Sequence, residues 1–370
     1  MQFLATCKLG LESTVTRQLR DLGIEVDQTL DARVRFSGTQ ETLAKALLWL
    51  RTAERVLLIV GEFKAVTFEE LFEGVSNIEW KRYLEKDSFI HVNGKSAKST
   101  LFSVSDCQSI VKKAIVENLK KSLRTDILPE SGKEVIVEVG ILNDQVTIAL
   151  DACGAGLSRR GYRTYNVAAP LSETLGAAIL TLSRYHADVP LIDPMCGSGT
   201  MPIEAAMMAQ NMAPGLNRSF AAENWRFLDS RCFPEARKEA RDAVTPVKVR
   251  ILGSDIDSRC IDLCKKHAKK AGITVDWAVR PLSELRSDLP DGLIVCNPPY
   301  GERLMNRSEI TKLYRQMREK FDSLDNWAVS IFSGVPDFET LYGKRADKRR
   351  KLSNGGMRCQ LYQYFREKKQ

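Results

Sequence analysis

Histidine is scarce, with 3 residues in a chain of 370, so the sequence offers little for a zinc site or for histidine acid/base catalysis. No Gly-x-x-x-x-Gly-Lys-Ser/Thr string occurs, which disfavours ATP chemistry on a phosphate-cradling loop. No apolar run approaches the roughly 20 residues of a membrane span. The first ten residues lack a charged lead followed by a long apolar core, so the chain reads as cytoplasmic. Nine cysteines are scattered without a repeating spacing, and an odd number fits reduced thiols better than a disulfide framework. Cys260 and Cys264, the one close pair, stand at i and i+4 in a helical stretch that also carries His267, which reads as a packed helix face and not a metal site. No metal is expected. Internal repeats and low-complexity tracts are also absent.

What is present is a positive charge confined to one part of the chain. Residues 1–160 hold 22 basic and 22 acidic side chains, and residues 161–370 hold 33 and 25, so the whole net charge of +8 lies in the second part. A cationic surface there suits a polyanion such as RNA.

The first 60 residues alternate short strands (3–6, 25–28, 34–36, 56–60) with helices (12–22, 39–50), a split βαβ pattern. Residues 61–155 follow with helices near 67–72 and 106–123 and strands at 88–92, 135–139 and 146–149. Residues 93–124 carry seven basic side chains against two acidic, Asp106 and Glu117. Lys112, Lys113, Lys120 and Lys121 recur near helical spacing, as a solvated face or as a stripe for a phosphate backbone. Gly154, Gly156 and Gly161 mark a loose connection, and Arg159, Arg160, Tyr162, Arg163 and Tyr165 give it the composition of a hinge that touches RNA. From Leu171 onward helix and strand alternate, with strands near Val189, Val249, Thr274, Leu293 and Ala328, as in a doubly wound parallel sheet. The fold class is therefore α/β in the C-terminal part, preceded by α+β units.

Two segments carry chemistry. Asp193-Pro194-Met195-Cys196-Gly197-Ser198-Gly199-Thr200 follows an apolar strand and opens a helix, the geometry of a nucleotide-like site. Gly197 and Gly199, lacking a β-carbon, would let the backbone approach a ligand, and N–H groups at a helix start favour an anionic group. Asp255, in Gly-Ser-Asp-Ile256-Asp, ends the next strand, where a carboxylate can accept from both ribose hydroxyls; Asp257 reads as the cap of the following helix. Downstream, Asn297-Pro298-Pro299-Tyr300 follows the apolar strand before it and falls on the same sheet edge. An exocyclic amine of a purine is a poor nucleophile because its lone pair is delocalised. The Asn297 side-chain oxygen and the Pro298 carbonyl would accept its two N–H bonds and turn the lone pair toward a methyl group. The prolines stiffen the loop, and Tyr300 offers a ring on which an extruded base can stack.

These motifs, with Gly10-Leu11-Glu12, Arg160-Gly161-Tyr162-Arg163, Ala169-Pro170-Leu171, Glu173-Thr174, the extension Gly301-Glu302-Arg303-Leu304 and Leu352-Ser353-Asn354-Gly355, make the chain resemble the class I S-adenosylmethionine-dependent methyltransferases with a THUMP domain, in particular the guanine-N2 methyltransferases of large-subunit ribosomal RNA. The resemblance implies a ferredoxin-like unit over 1–60, a THUMP RNA-binding domain over 61–155 and a Rossmann-like catalytic domain over 160–370. It implies S-adenosylmethionine as cofactor, held by Asp193, Pro194, Cys196, Gly197, Gly199, Thr200, Asp255 and Ile256, with Asn297, Pro298, Pro299 and Tyr300 at the amine. RNA would be contacted by Lys112, Lys113, Arg160, Arg163, Lys348, Arg349 and Arg350, the last three in a run with six basic residues in eight positions, 344–351, read as a hairpin near the pocket. Ribosomal RNA is the first candidate. Transfer RNA, DNA adenine N6, glutamine side chains and a non-catalytic RNA-binding assembly factor are the alternatives.

Two departures from the family pattern stand out. Pro281 occupies the place where relatives carry an acid for the donor's adenine, leaving Ser283, Glu284 or a backbone carbonyl to substitute. Residues 211–246 form a long insertion with Trp225, Arg226 and Phe227, read as packed helices in preference to a lid.

Overall fold

The computed structural model describes residues 1–163, 171–299 and 306–366. Its N-terminal part contains β1 (Gln2–Cys7), α1 (Glu12–Asp21), β2 (Val26–Leu30), β3 (Arg33–Ser37), α2 (Gln40–Trp49), β4 (Ala53–Lys64), α3 (Phe68–Ser76), β5 (Phe89–Ala97), α4 (Val104–Leu123), β6 (Glu134–Leu142) and β7 (Gln145–Asp151). All seven strands form one sheet in the order β2-β3-β1-β4-β7-β6-β5. The long β4 joins its two halves, pairing with β1 through residues 53–59 and with β7 through 57–64. The division expected between residues 60 and 61 thus falls inside a strand. Local chemistry sets the helix ends: Gly23, at φ +73°, follows α1, and Thr67 with Glu70 closes a reciprocal cap on α3.

The C-terminal part runs α5 (Glu173–Leu182), β8 (Leu191–Asp193), α6 (Thr200–Ala209), α7 (Cys232–Asp242), β9 (Ile251–Asp255), α8 (Ser258–Ala271), β10 (Asp276–Val279), β11 (Gly292–Cys296), α9 (Arg307–Asp322), β12 (Trp327–Ser333), α10 (Phe338–Tyr342), β13 (Lys348–Asn354) and β14 (Met357–Tyr364). The strand order is β10-β9-β8-β11-β12-β14-β13. Five strands are parallel, as the alternation of helix and strand predicts. The sheet is nevertheless mixed, because β14 inserts antiparallel between β12 and β13. Gly355 and Gly356, at φ +55° and +86°, make the tight β13–β14 turn.

Both faces of this sheet are covered, which explains the unbroken apolar run of β11. Leu293 and Val295 belong to the core shared with α5, α6 and α8, while Ile294 and Cys296 face α9 and α10. The insertion 211–246 packs. It lays α7 against α2 and buries Phe220, Trp225 and Phe233. Gly215 N–H donates to the Leu48 carbonyl (2.9 Å), Asp229 N–H to the Gln40 side chain (2.8 Å) and Ala222 N–H to the Ala152 carbonyl (3.1 Å). It is a brace between the C-terminal sheet and the N-terminal one.

Candidate active site

The carboxyl ends of β8, β9 and β11 converge because the three strands are adjacent and parallel. The register sets Gly253 level with Asp193, and Ile294 level with Ile192, so Asp255 and Asn297 each stand beyond the end of β8. Ligands bind at such an edge, where strand order reverses.

Between β8 and α6 the loop is held from several sides. Gly197 N–H donates to Asp255 Oδ2 at 2.9 Å, and Asp257 N–H to Asp255 Oδ1 at 3.0 Å. A carboxylate has about four acceptor positions, so two remain for ligand hydroxyls. Asp257 caps α8 through the Arg259 N–H (2.9 Å), as expected. Asp193 is buried, with Oδ1 accepting from Met195 N–H (3.2 Å) and Oδ2 accepting nothing among the described residues. Burial drives its pKa well above the ordinary carboxylate range, the Met195 bond opposes this, and the nearby Asp255 adds to it. Ile256, 75% exposed, lies beside this carboxylate pair as an apolar surface for a ring.

The two glycines do different things. A β-carbon on Gly197, at φ +53°, would meet nothing within 4 Å, leaving open space for a ligand. On Gly199, at φ +82°, it would sit 2.8 Å from the Trp277 ring and 2.9 Å from Cys264 Sγ. Gly199 therefore permits internal packing, which corrects the expectation that it opens the backbone to a ligand. Cys196 is likewise turned inward, its Sγ 3.9 Å from that of Cys264. The Thr200 hydroxyl is buried, donating to the Leu171 carbonyl (3.3 Å) and accepting from Arg163 (2.7 Å). Neither the Cys196 thiol nor the Thr200 hydroxyl is free to touch a donor. Pro194 is buried at the strand end. Sequence reasoning set His267 aside, yet its Nδ1 lies 3.2 Å from the Ser198 carbonyl, bracing the loop from α8; desolvation lowers its pKa and keeps the ring neutral. No local signal in the sequence reveals that contact.

At the end of β11, Asn297 is half-buried and its Oδ1 is a buried acceptor without a partner among the described residues. Such an orphan costs about 1–3 kcal/mol unless a ligand donor reaches it. Pro298 is buried and Pro299 half-buried. Tyr300, Gly301, Glu302, Arg303, Leu304, Tyr165, Ala169 and Pro170 lie outside the described residues. At the place of the family's adenine-binding acid, Pro281 precedes a single 3-10 turn, Leu282–Glu284, with Ser283 and Glu284 exposed; Arg280 N–H donates to the Asp255 carbonyl (2.9 Å).

Residues 160–363 match the family described as RMKL-like, methyltransferase domain; residues 2–57 match the RlmL ferredoxin-like domain and 65–151 the THUMP domain. The chain is 41% identical over 367 residues to the Bacillus subtilis (strain 168) protein named "Putative RNA methyltransferase YpsC", covering 98% of this chain and 95% of that one. The chain belongs to the RMKL-like methyltransferase family. A relative in Psychromonas ingrahamii, named ribosomal RNA large subunit methyltransferase K/L, is 35% identical over 98% of this chain, which spans half the length of that protein. Among solved structures, SMU.472 in complex with SAH matches this methyltransferase with a TM-score of 0.93 and 40% identity, over 100% of this chain and 99% of the other. A Listeria monocytogenes str. 4b F2365 structure, described as a predicted N6-adenine-specific DNA methylase, matches with a TM-score of 0.93 and 42% identity, over 99% and 96%.

The methyl donor is S-adenosylmethionine, and the orphaned Asp193 carboxylate, the open side of Gly197, the spare acceptor positions of Asp255 and the exposed Ile256 fit it. The expected RNA-contacting arginines fare differently. Arg160 is buried, paired with Glu204 at 3.3 Å and donating to the Leu157 carbonyl (2.7 Å) and to that of Arg51. It cannot reach a phosphate, which corrects the expectation. Arg163 is committed to Glu173 (3.3 Å), Leu171 and Thr200, which likewise removes it from the RNA surface. The connection around them is clamped, not a hinge: Arg218 donates to the carbonyls of Cys153 (3.2 Å), Ala155, Gly156 (2.6 Å) and Arg159 (3.1 Å). Lys112 pairs with Glu130 at 2.9 Å and Lys113 with Glu117 at 3.9 Å. Lys348, Arg349 and Arg350 stand on the edge strand β13, three strand steps or about 14 Å from β11. Arg349 there pairs with Glu339 at 3.2 Å.

Proposed function

We propose that the protein transfers a methyl group from S-adenosylmethionine to the exocyclic N2 amine of a guanine in RNA, with ribosomal RNA the first candidate. The observation that carries this reading is Asn297 Oδ1, a buried acceptor without a donor among the described residues, beyond the strand that neighbours β8. Bound S-adenosylmethionine supplies an electrophilic methyl on a sulfonium sulfur. The chain's part is to accept the amine's two N–H bonds at Asn297 Oδ1 and the Pro298 carbonyl, directing the nitrogen lone pair at that carbon. Asp193 and Asp255 hold the donor's amino group and ribose, Gly197 leaves it room, and Tyr300 stacks on the base. No general base is needed, since the methylated amine sheds its proton to water. The THUMP domain, the basic C-terminal part and the names of the relatives favour RNA.

The name of the Listeria relative favours a second reading, transfer to adenine N6 in DNA. Labelled donor offered with unmodified ribosomal RNA, transfer RNA and DNA, followed by mass spectrometry of the nucleosides, separates the two. N2-methylguanosine from ribosomal RNA is the expected product, and N6-methyladenine from DNA would replace the proposal.

A further inference from the structure

Phe102 has the most exposed large apolar side chain among the described residues, at 83%. The ring stands in water although its backbone is tightly fixed. Leu101, before it, is buried, and its carbonyl accepts from Ser96 Oγ at 2.5 Å. Thr100 N–H donates to Asp144 Oδ1 at 2.7 Å, and Asp144 N–H returns a bond to Ser99 Oγ at 3.1 Å, locking the loop to the β6–β7 turn. Ser103, after it, stands at the start of α4, with its hydroxyl on Asp106 at 2.6 Å. These bonds fix the backbone on both sides of Phe102. Lys95 and Lys98, both exposed, lie just before it, at the end of β5.

A solvent-facing aromatic on a fixed backbone, with exposed lysines a few residues away in the chain, offers what a single-stranded nucleic acid uses, a ring for a base face and ammonium groups for phosphates. We propose that Phe102 is a stacking platform for an unpaired base of the RNA substrate, with Lys95 and Lys98 on the phosphates beside it. This rests on the RNA reading above and adds a contact on the face of the THUMP domain. Bases inside a duplex already stack on one another, so the site selects single-stranded or looped RNA.

The test measures affinity of the full chain for short unstructured RNA and for duplex RNA across a salt series. Phe102→Ala should weaken single-strand binding about 5- to 100-fold, leaving duplex binding, donor affinity and the salt slope unchanged. Phe102→Trp should restore it. The side chain is exposed, so melting temperature checks that the variants fold. Wild-type affinity in Phe102→Ala, loss of duplex binding to the same extent, or self-association that Phe102→Ala abolishes would each overturn the platform. Failure of the wild-type protein to bind any RNA would instead remove the underlying RNA reading.

Discussion

The backbone N–H of Gly197 is bonded to the Asp255 carboxylate at 2.9 Å, tying the loop after β8 to the end of β9 before any ligand arrives. One carboxylate thus shapes the glycine turn and keeps acceptor positions for the donor. The turn is preorganised, and its two glycines should respond differently to the same substitution.

Gly199→Ala places a methyl group against Trp277 and Cys264 at 2.8 and 2.9 Å, in a left-handed conformation. Overpacking of that kind destabilises by about 1–3 kcal/mol, and the backbone conformation adds roughly 1 more. Gly197→Ala carries only the backbone cost, but its methyl group enters open space in front of the loop. Thermal melts should show the larger loss for Gly199→Ala, and calorimetry with S-adenosylmethionine the larger loss of affinity per degree of destabilisation for Gly197→Ala.

Asp193 predicts a trade between stability and binding. Its folded pKa is raised by burial, so the protonated form suits the ligand-free fold. The sign follows: that contribution is complete below the unfolded carboxylate pKa and disappears as pH rises through the raised folded value. Asp193→Asn should therefore melt higher than wild type at neutral pH without donor. With donor the order reverses, because a charge-assisted bond to the donor's amino group, about 1.5–3 kcal/mol or roughly 10- to 150-fold in Kd, is lost.

Asn297→Ala removes the orphaned acceptor. Donor binding should stay within about two-fold, since the role proposed for this side chain is toward the methyl acceptor and not the donor, while turnover falls on the order of 100-fold or more. Single-turnover assays with labelled donor measure it. Wild-type turnover in this variant would remove the amine-steering role.

Asp193, Asp255 and Asn297 were legible as candidates because strand, turn and helix start are local, and the strands that lead to them announce themselves as apolar runs. The arginines were not. Arg160 sits in a motif that looks like a cationic approach to RNA, and its meaning depends on Glu204, 44 residues away, and on the Arg51 carbonyl, 109 residues away. Gly199 is a similar case, since the atoms that demand a glycine belong to Trp277 and Cys264. The β13–β14 hairpin was readable from its diglycine turn, but not the insertion of β14 beside β12, which is a long-range pairing.

The clamp around residues 153–160 bears on how the two sheets cooperate. Arg218 spans four carbonyls of this connection and lies over the Phe220 ring at 4.9 Å, within the brace that packs on α2. A guanidinium presents five N–H donors in a fixed planar fork, whereas a glutamine amide has only two and cannot hold all four carbonyls. Arg218→Gln should leave donor affinity unchanged, because nothing in the β8–α6 loop touches Arg218. It should loosen the fixed spacing between the THUMP face and Asn297. An RNA long enough to engage both regions should then lose its advantage in kcat/KM over a short fragment that reaches only the catalytic sheet. Equal losses on both RNAs would assign Arg218 to general stability, and no loss on either would mean that the spacing does not limit the reaction.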